Sequence, residues 1–280
     1  MATDPARSVQ WERGLVRDSF NRIAAMTARY GYLLRSSWIR LAEVIYWPTM
    51  QMLVWGFLYT YLYTSDSKIA NTAGPLLGAV LLWDVLFRGQ LGFTFTFLEE
   101  VWSRNIANLM MSPLTSGELA VSLMGVSFIR MLIGTLPVTL LVTVLFAFNI
   151  YTLGLPLIAF FLNLVLTSWA LGLVLCGLVT RYGLGAETYA WSVMILLLPL
   201  CCVYYPVWVL PFWLQPLAWS LAPTYVFEGM RAVLLDGSFR ADLMIEALAL
   251  NIFYLVGGFG VFLWLLQNAR HRGLLLAMGE

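Results

Sequence analysis

The chain has 280 residues, of which 61% are hydrophobic and 11% charged; the mean hydropathy is +0.81 and the formal net charge is +1. A water-soluble protein of this length has no use for so much apolar surface, and the charge gives no sign of a nucleic-acid partner. Apolar stretches of about 20 residues cross a bilayer as helices, because each backbone group must be satisfied within the segment. The composition therefore predicts an all-α polytopic membrane protein with a single domain.

The N-terminal segment, residues 1–40, is predicted to be a cytoplasmic amphipathic helix. Trp11, Leu15, Tyr30 and Trp38 recur at roughly helical spacing, and arginines fill much of the rest. A basic amphipathic helix with tryptophan on its apolar side suits the headgroup layer of a membrane. The alternative is a solvated helix that packs on a soluble partner.

Six apolar runs follow and predict six transmembrane helices within a single domain at 41–280. The runs lie at about 41–63, 75–98, 119–148, 153–179, 188–204 and 243–267. Neither an internal repeat of fixed period nor a low-complexity linker divides them, so the sequence predicts one domain.

Between the second and third runs, residues 99–117 have a helical pattern of their own, with four residues a turn apart on one face. Those four are Trp102, Ile106, Leu109 and Pro113, while Glu99, Glu100, Ser103, Arg104 and Asn108 face elsewhere. Pro113 should end the helix and extend Ser112. Thr115 and Glu118 have the spacing of a capping box that starts the next helix.

Between the fifth and sixth runs, residues 204–235 are apolar enough to enter a bilayer but are broken by prolines. Pro206, Pro211, Pro216 and Pro223 forbid one continuous helix. We interpret this stretch as short, broken helices that dip into the outer leaflet and return. The alternative is an amphipathic loop on the membrane surface.

Charged residues within the apolar runs are candidates for interior pairs. Asp84 and Arg88 are four apart in the second run and can meet on one helix face. A charge inside a membrane is costly and requires a partner. The Asp84–Arg88 pair either positions helices or lies on a substrate pathway. Arg130 in the third run can reach the cytoplasmic interface by snorkelling. In the outer stretch, Glu228 and Arg231 are three apart and are expected to pair.

The basic residues orient the predicted spans. With the N-terminus inside, eleven arginines fall on cytoplasmic segments, and Lys68, Arg231 and Arg240 fall on outer ones. This positive-inside bias predicts that both termini and residues 99–117 are cytoplasmic.

The sequence lacks the residues of an enzyme active site. No glycine-rich phosphate loop precedes Lys68, which is the only lysine, and His271 is the only histidine. Cys176, Cys201 and Cys202 lie in apolar runs and are expected to be small core residues. We therefore predict no catalytic residue, no cofactor site and no metal site in this chain.

Two stretches carry a family resemblance: FLEEVWSRNIANLMMSPLTSGELAVSLM, and APTYVFEGMRAVL after the proline-rich segment. Together with the N-terminal helix and six spans, they resemble the type-2 ABC transporter permeases, which include exporters of drugs, lipo-oligosaccharides and lipid-linked polysaccharides. The resemblance covers nearly the whole chain. It implies that residues 99–117 are a coupling helix that docks on a separate ATPase, and that the outer broken helices re-enter the membrane near the exit.

The resemblance also implies roles for individual residues. The ATPase-coupling candidates are Glu99, Glu100, Trp102, Arg104, Asn105, Leu109, Ser112 and Pro113. The intramembrane candidates are Asp84, Arg88 and Arg130, and those of the outer segment are Tyr225, Glu228 and Arg231. It further implies two copies each of permease and ATPase, with ATP and Mg²⁺ bound by the ATPase, in a bacterial plasma membrane.

The function expected from the resemblance is the permease subunit of an ATP-driven exporter that moves an amphipathic or lipid-linked substrate. A rival function is a membrane anchor that turns ATP hydrolysis into mechanical work without moving a substrate.

Overall fold

A computed structural model describes residues 5–65, 67–183 and 187–271, and the regular elements in those ranges are all helical. These residues form α1 (Pro5–Arg35), α2 (Trp38–Ser65), α3 (Ser67–Trp102), α4 (Ile106–Met111), α5 (Ser116–Phe146), α6 (Leu155–Tyr182), α7 (Glu187–Leu200), α8 (Gln215–Trp219), α9 (Ala222–Asp236) and α10 (Ala241–His271). Short 3-10 turns lie at Ile150–Leu153 and Val207–Val209. The predicted all-α class is confirmed for the described residues.

Helix α3 is the centre of the bundle. In the most apolar window of its segment Gly74–Trp102, 78% of the residues are buried, whereas the corresponding value for α10 is 22%. It packs against α2, α5 and α6, and α10 packs against α6. Small residues permit the close approach, since a Cβ added to Gly89 would lie 2.4 Å from Oγ of Ser168, and one added to Gly172 would lie 2.7 Å from the Phe93 ring.

Four helices of the described residues are long and apolar enough to cross a membrane: Gly74–Trp102, Ser116–Phe146, Leu155–Tyr182 and Ala241–His271. They match the second, third, fourth and sixth predicted spans. The first predicted span falls on α2, whose polar residues include Arg40 and Glu43. The fifth falls on α7, whose 14 residues cover roughly 21 Å against a hydrocarbon core of about 30 Å. The six-span count therefore stays a prediction.

The N-terminal helix ends earlier than predicted. Helix α1 stops at Arg35 and α2 begins at Trp38, so the predicted segment 1–40 includes the start of a second helix. Met26, Tyr30 and Leu34 follow one another at one-turn spacing and are buried. Met26 and Tyr30 join an apolar cluster with residues of α3, α5, α6 and α10 and so pack α1 against the bundle. The apolar stripe is thus used within the protein, and the position of α1 relative to a membrane stays a prediction.

The segment after α7 is broken at its prolines, as predicted. Pro206 precedes the 3-10 turn, and a proline lies in the first turn of both α8 and α9. Tyr254 on α10 donates from its hydroxyl to the Ser220 carbonyl at 2.6 Å. The short helices are therefore fixed to the bundle.

The proline-broken segment that follows α7 and the α3–α5 connection lie at opposite ends of α3. Helix α9 contacts the start of α3, where a Cβ on Gly78 would lie 3.3 Å from the sulfur of Met230. The α3–α5 connection begins after Trp102, which is roughly 36 Å further along the helix axis. This separation is wider than the hydrocarbon core of a bilayer.

Candidate functional site

The connection between α3 and α5 is not the single helix that the sequence predicts. Helix α3 continues to Trp102, a turn follows at 103–105, and the six-residue α4 ends at Met111. Glu99, Glu100 and Trp102 therefore belong to the central helix rather than to a separate coupling helix. We call residues 103–115, with Trp102 at the end of α3, the α3–α5 hairpin.

Helix α3 ends at Trp102 although no glycine follows it at the position where glycine commonly ends a helix. The amide of Asn105 donates to the Glu100 carbonyl at 2.9 Å, and that of Arg104 donates to the Val101 carbonyl at 3.0 Å. These two bonds define a Schellman motif, whose left-handed position glycine usually occupies. Here Arg104 takes it with a φ of 54°. No local signal predicts this break, because residues 103–105, SRN, contain neither glycine nor proline.

Other local predictions for the hairpin are confirmed. Ser112 has an extended backbone before Pro113 and ends α4. The hydroxyl of Thr115 accepts from the Glu118 amide at 3.2 Å, and a Glu118 carboxylate oxygen accepts from the Thr115 amide at 2.8 Å. This is the predicted capping box, and it fixes the direction in which α5 leaves the hairpin.

The hairpin presents a mixed exposed surface. Ile106 is buried and Leu109 packs partly against the same apolar cluster, as predicted for one face. Trp102 does not share that face: it is 46% exposed and lies beside the Phe95 ring. The exposed residues of the hairpin are Trp102, Ser103, Arg104, Asn108, Met111, Ser112, Pro113 and Thr115.

Glu100 is an interior anchor and not an exposed docking residue. It is 2% exposed, and its carboxylate accepts from Arg29 of α1 at 2.8 and 3.2 Å. Nδ2 of Asn105 donates to the same carboxylate at 2.6 Å. Two predicted coupling residues, Glu100 and Asn105, therefore bond to each other beneath the hairpin surface. Charge on a buried carboxylate requires such partners.

Tyr30 lies beside this anchor. Its side chain is 1% exposed, and its hydroxyl makes no hydrogen bond of ordinary length with the described residues. Burial, and to a smaller extent the charge of Glu100, raise the pKa of Tyr30 above its usual range. The tyrosine therefore stays neutral between α1 and the end of α3.

Two further ion pairs join the elements around the hairpin. Arg130 of α5 donates to Glu99 of α3 at 2.9 and 3.0 Å, so its partner is a carboxylate within the bundle. Arg22 of α1 donates to Glu118 at 2.6 Å, which gives the capping-box carboxylate a second function. Both contacts connect residues far apart in sequence, and no spacing rule could have revealed them.

The predicted pair in α3 forms. Nε of Arg88 donates to Oδ2 of Asp84 at 2.7 Å, and the Asp84 side chain is 1% exposed. Arg88 also approaches the Val44 carbonyl of α2 at 3.5 Å. The other carboxylate oxygen of Asp84 has no hydrogen-bond partner among the described residues. The pair lies between helices, as expected, and its role on a pathway stays a prediction.

The three residues that the sequence analysis singled out between the fifth and sixth runs all make contacts in the proline-broken segment. Arg231 donates to Glu228 at 3.0 Å, which confirms the expected pair. The Tyr225 ring lies against Trp219 with 4.9 Å between centroids.

The described residues contain no cluster of three or more His, Cys, Asp or Glu side chains that could hold a metal ion. All three cysteines are free and buried, as the sequence predicted. The described residues thus form a helical bundle with an exposed hairpin at one end and a proline-broken segment at the other.

Residues 31–235 match the family model described as ABC-2 type transporter. The match covers most of the chain and includes both the hairpin and the proline-broken segment. The chain belongs to the ABC-2 type transporter family. This ABC-2 protein is therefore a multi-pass membrane protein of a family of transporter permease domains. No curated protein matches it.

Proposed function

We propose that this ABC-2 protein is the permease subunit of an ATP-driven exporter, whose ATP and Mg²⁺ are bound by a separate ABC ATPase. Family membership supports the permease role. The absence of a phosphate-binding loop from the sequence supports a separate motor. The substrate that we propose is amphipathic or lipid-linked, by analogy with the families that the sequence resembles.

The observation that carries the proposal is the anchored hairpin. Its surface bears exposed groups of different chemistry, including Trp102 at 46% and Met111 at 79% exposure. Its base is fixed to α1 through Glu100 and Glu118, and to α5 through Glu99. A surface that is exposed but rigidly attached to the central helix is suited to receive force from a docked protein.

In the proposed cycle, ATP binding closes two motor subunits and displaces the hairpin of each permease copy. Because α3 is continuous from the hairpin to the outer segment, the displacement reaches both ends of the bundle. Two permease copies then alternate between inward and outward access. We place the hairpin and both termini in the cytoplasm on the basis of the arginine distribution.

An exposed face of α2 supports the second permease copy. Trp47, Val54, Phe57 and Tyr61 lie on one stripe of this helix and are 63%, 69%, 64% and 66% exposed. Tryptophan and tyrosine carry polar groups that suit an interface or a wet groove better than the middle of a lipid layer. We therefore assign this face to the centre of a homodimer.

The proposal is tested with the full chain purified together with its ABC ATPase and reconstituted into vesicles. An exporter is expected to move a fluorescent lipid-linked amphiphile across the membrane only with ATP, and a hydrolysis-deficient ATPase subunit provides the control. ATP hydrolysis that depends on the permease but moves no amphiphile of any tested class would favour the mechanical anchor instead. Hydrolysis that is indifferent to the permease would contradict both functions.

A further inference from the structure

Glu228 and Arg231 of α9 are charged side chains that are mostly buried. Residues 188–227 contain no Asp, Glu, Lys or Arg, and Glu228 and Arg231 then follow in α9. Their side chains are only 20% and 11% exposed. Charged groups that lose this much water need strong partners or a task that requires them.

Each of the two charged groups also bonds to the backbone of one distant loop. Glu228 accepts from the Val207 amide at 2.8 Å, and Arg231 donates to the Val203 carbonyl at 3.2 Å. Val203 follows the end of α7 and Val207 is the first residue of the 3-10 turn, so the Val203 carbonyl and the Val207 amide have no regular helical bond. The ion pair thus satisfies two backbone groups that would otherwise lack partners.

This loop is held in a strained conformation. Cys202, next to Val203, has a φ of 52°, which is unusual for a residue with a Cβ. Such a conformation persists only where surrounding contacts over-determine it. Beyond the second fixed point, Trp208 and Phe212 are 78% and 87% exposed, so the contact at Val207 sets where these aromatic side chains emerge.

We infer that Glu228 and Arg231 act as a clamp: a positioning pair that fixes the loop of residues 202–209 and, through it, the aromatic surface at the outer end of the protein. Release of the clamp frees the loop while the helices stay packed. On the proposed function, the clamp sets the shape of the exit of the transport pathway. The geometric part of the inference does not depend on that function.

The native cysteines report on the clamp directly. Cys201 and Cys202 lie at the loop and Cys176 lies within α6, and all three are 0% exposed. A small water-soluble maleimide is reacted with the detergent-solubilised full chain, and its attachment at each cysteine is followed by mass spectrometry. In Arg231→Lys and Glu228→Gln, labelling of Cys202 is expected to accelerate several-fold, while that of Cys176 stays at the parent rate.

The chain offers a matched control in the exposed pair Arg240–Asp242, in which both side chains are 53% exposed. Arg240→Gln removes a cation just beyond α9 without touching the loop and is expected to leave Cys202 labelling unchanged. Equal acceleration at Cys176 and Cys202 would indicate general loosening and would overturn the clamp. Parent-like labelling of Cys202 in a folded clamp variant would overturn it as well.

A measurement on the unmodified chain keeps the inference testable if the variants do not fold. Hydrogen exchange of the Val207 amide is expected to be slow, because this amide donates to a mostly buried carboxylate. Exchange as fast as that of an unstructured peptide would show that the clamp does not hold. Neither readout requires ATP or a cargo, so failure here is distinct from failure of the exporter proposal.

Discussion

Asp84 and Arg88 form an ion pair inside the most buried helix of the bundle. Asp84→Asn or Arg88→Gln leaves one charge uncompensated, which costs about 3–5 kcal/mol in a buried site. Each single variant is therefore expected to unfold at a lower temperature in detergent, and the double variant should recover much of the loss. Thermal unfolding followed by circular dichroism measures the effect.

Asp242→Asn is the control for this experiment, because it breaks an exposed pair whose removal should hardly alter the unfolding temperature. Single variants of Asp84 and Arg88 as stable as the parent would refute a buried pair. Transport by the double variant Asp84→Asn, Arg88→Gln then distinguishes a pair that positions helices from a pair on the substrate pathway. Normal transport identifies a structural pair, and lost transport in a stable protein places the pair on the pathway.

Contacts between residues near in sequence could be predicted, and contacts between distant ones could not. The Asp84–Arg88 pair follows from helical geometry, since residues four apart lie on one face. The capping box at Thr115 likewise follows from spacing alone. In contrast, Arg29 and Glu100 are 71 positions apart, and only the packing of α1 beside the end of α3 brings them together.

At the scale of elements, the two arginines that pair α1 with the end of α3 and the start of α5 should control how often α1 detaches. Arg29→Gln leaves the buried Glu100 short of a partner, at a cost on the order of 1–2 kcal/mol because Arg29 itself is partly solvated. Amides of residues 17–35 should then exchange roughly ten-fold faster or more. Arg22→Gln should act in the same direction, and hydrogen exchange with mass spectrometry measures both.

Arg35 supplies the matched control on the same helix, since it is exposed and forms no ion pair with another described residue. Arg35→Gln should leave exchange in α1 at the parent rate. If all three variants exchange alike, the ion pairs do not hold α1 in place.

The exposed surface of the hairpin should carry the affinity for the ATPase. Trp102→Ala removes a large exposed aromatic group, and a central aromatic anchor at an interface contributes roughly 2 kcal/mol or more. The ATPase is then expected to bind about thirty-fold more weakly, with less permease-dependent ATP hydrolysis. Met111→Ala should act similarly, and titration of the reconstituted permease with ATPase measures both.

Trp213→Ala is the control, because Trp213 is 74% exposed but belongs to the proline-broken segment at the other end of α3. Parent-like affinity in both hairpin variants would show that the motor docks elsewhere. Substitution of Glu100 is a poorer test than the sequence suggested, since this carboxylate is buried and its loss would disturb the fold.

The length of an element is harder to predict than its existence. The sequence correctly indicated that the helical pattern of the connection ends before Pro113, since α4 ends at Met111. It did not reveal that α3 extends to Trp102, because the helix stop uses Arg104 in a conformation typical of glycine. Of the predicted apolar face, Ile106 and Leu109 pack inwards, whereas Trp102 and Pro113 are exposed.

For the whole molecule, hydrophobicity predicted the class and four of the long helices, and the count of six spans stays a prediction. Four runs became helices long enough to cross a membrane, whereas α2 is too polar and α7 too short to qualify by composition and length. The tertiary arrangement adds what composition lacks: the hairpin and α9 lie at opposite ends of α3. Because of this arrangement, the side of the membrane on which the hairpin lies determines the side on which the end of α9 lies.

If the hairpin is cytoplasmic, the start of α10 and the end of α9 must face outwards. In intact cells, a membrane-impermeant maleimide should label Asp236→Cys, which replaces an exposed residue at the end of α9. Ser103→Cys on the hairpin is equally exposed but should react only after the cells are opened. The parent chain provides the blank, because its three cysteines are buried. Labelling of Ser103→Cys but not Asp236→Cys in intact cells would invert the topology and with it the docking side that we assign to the motor.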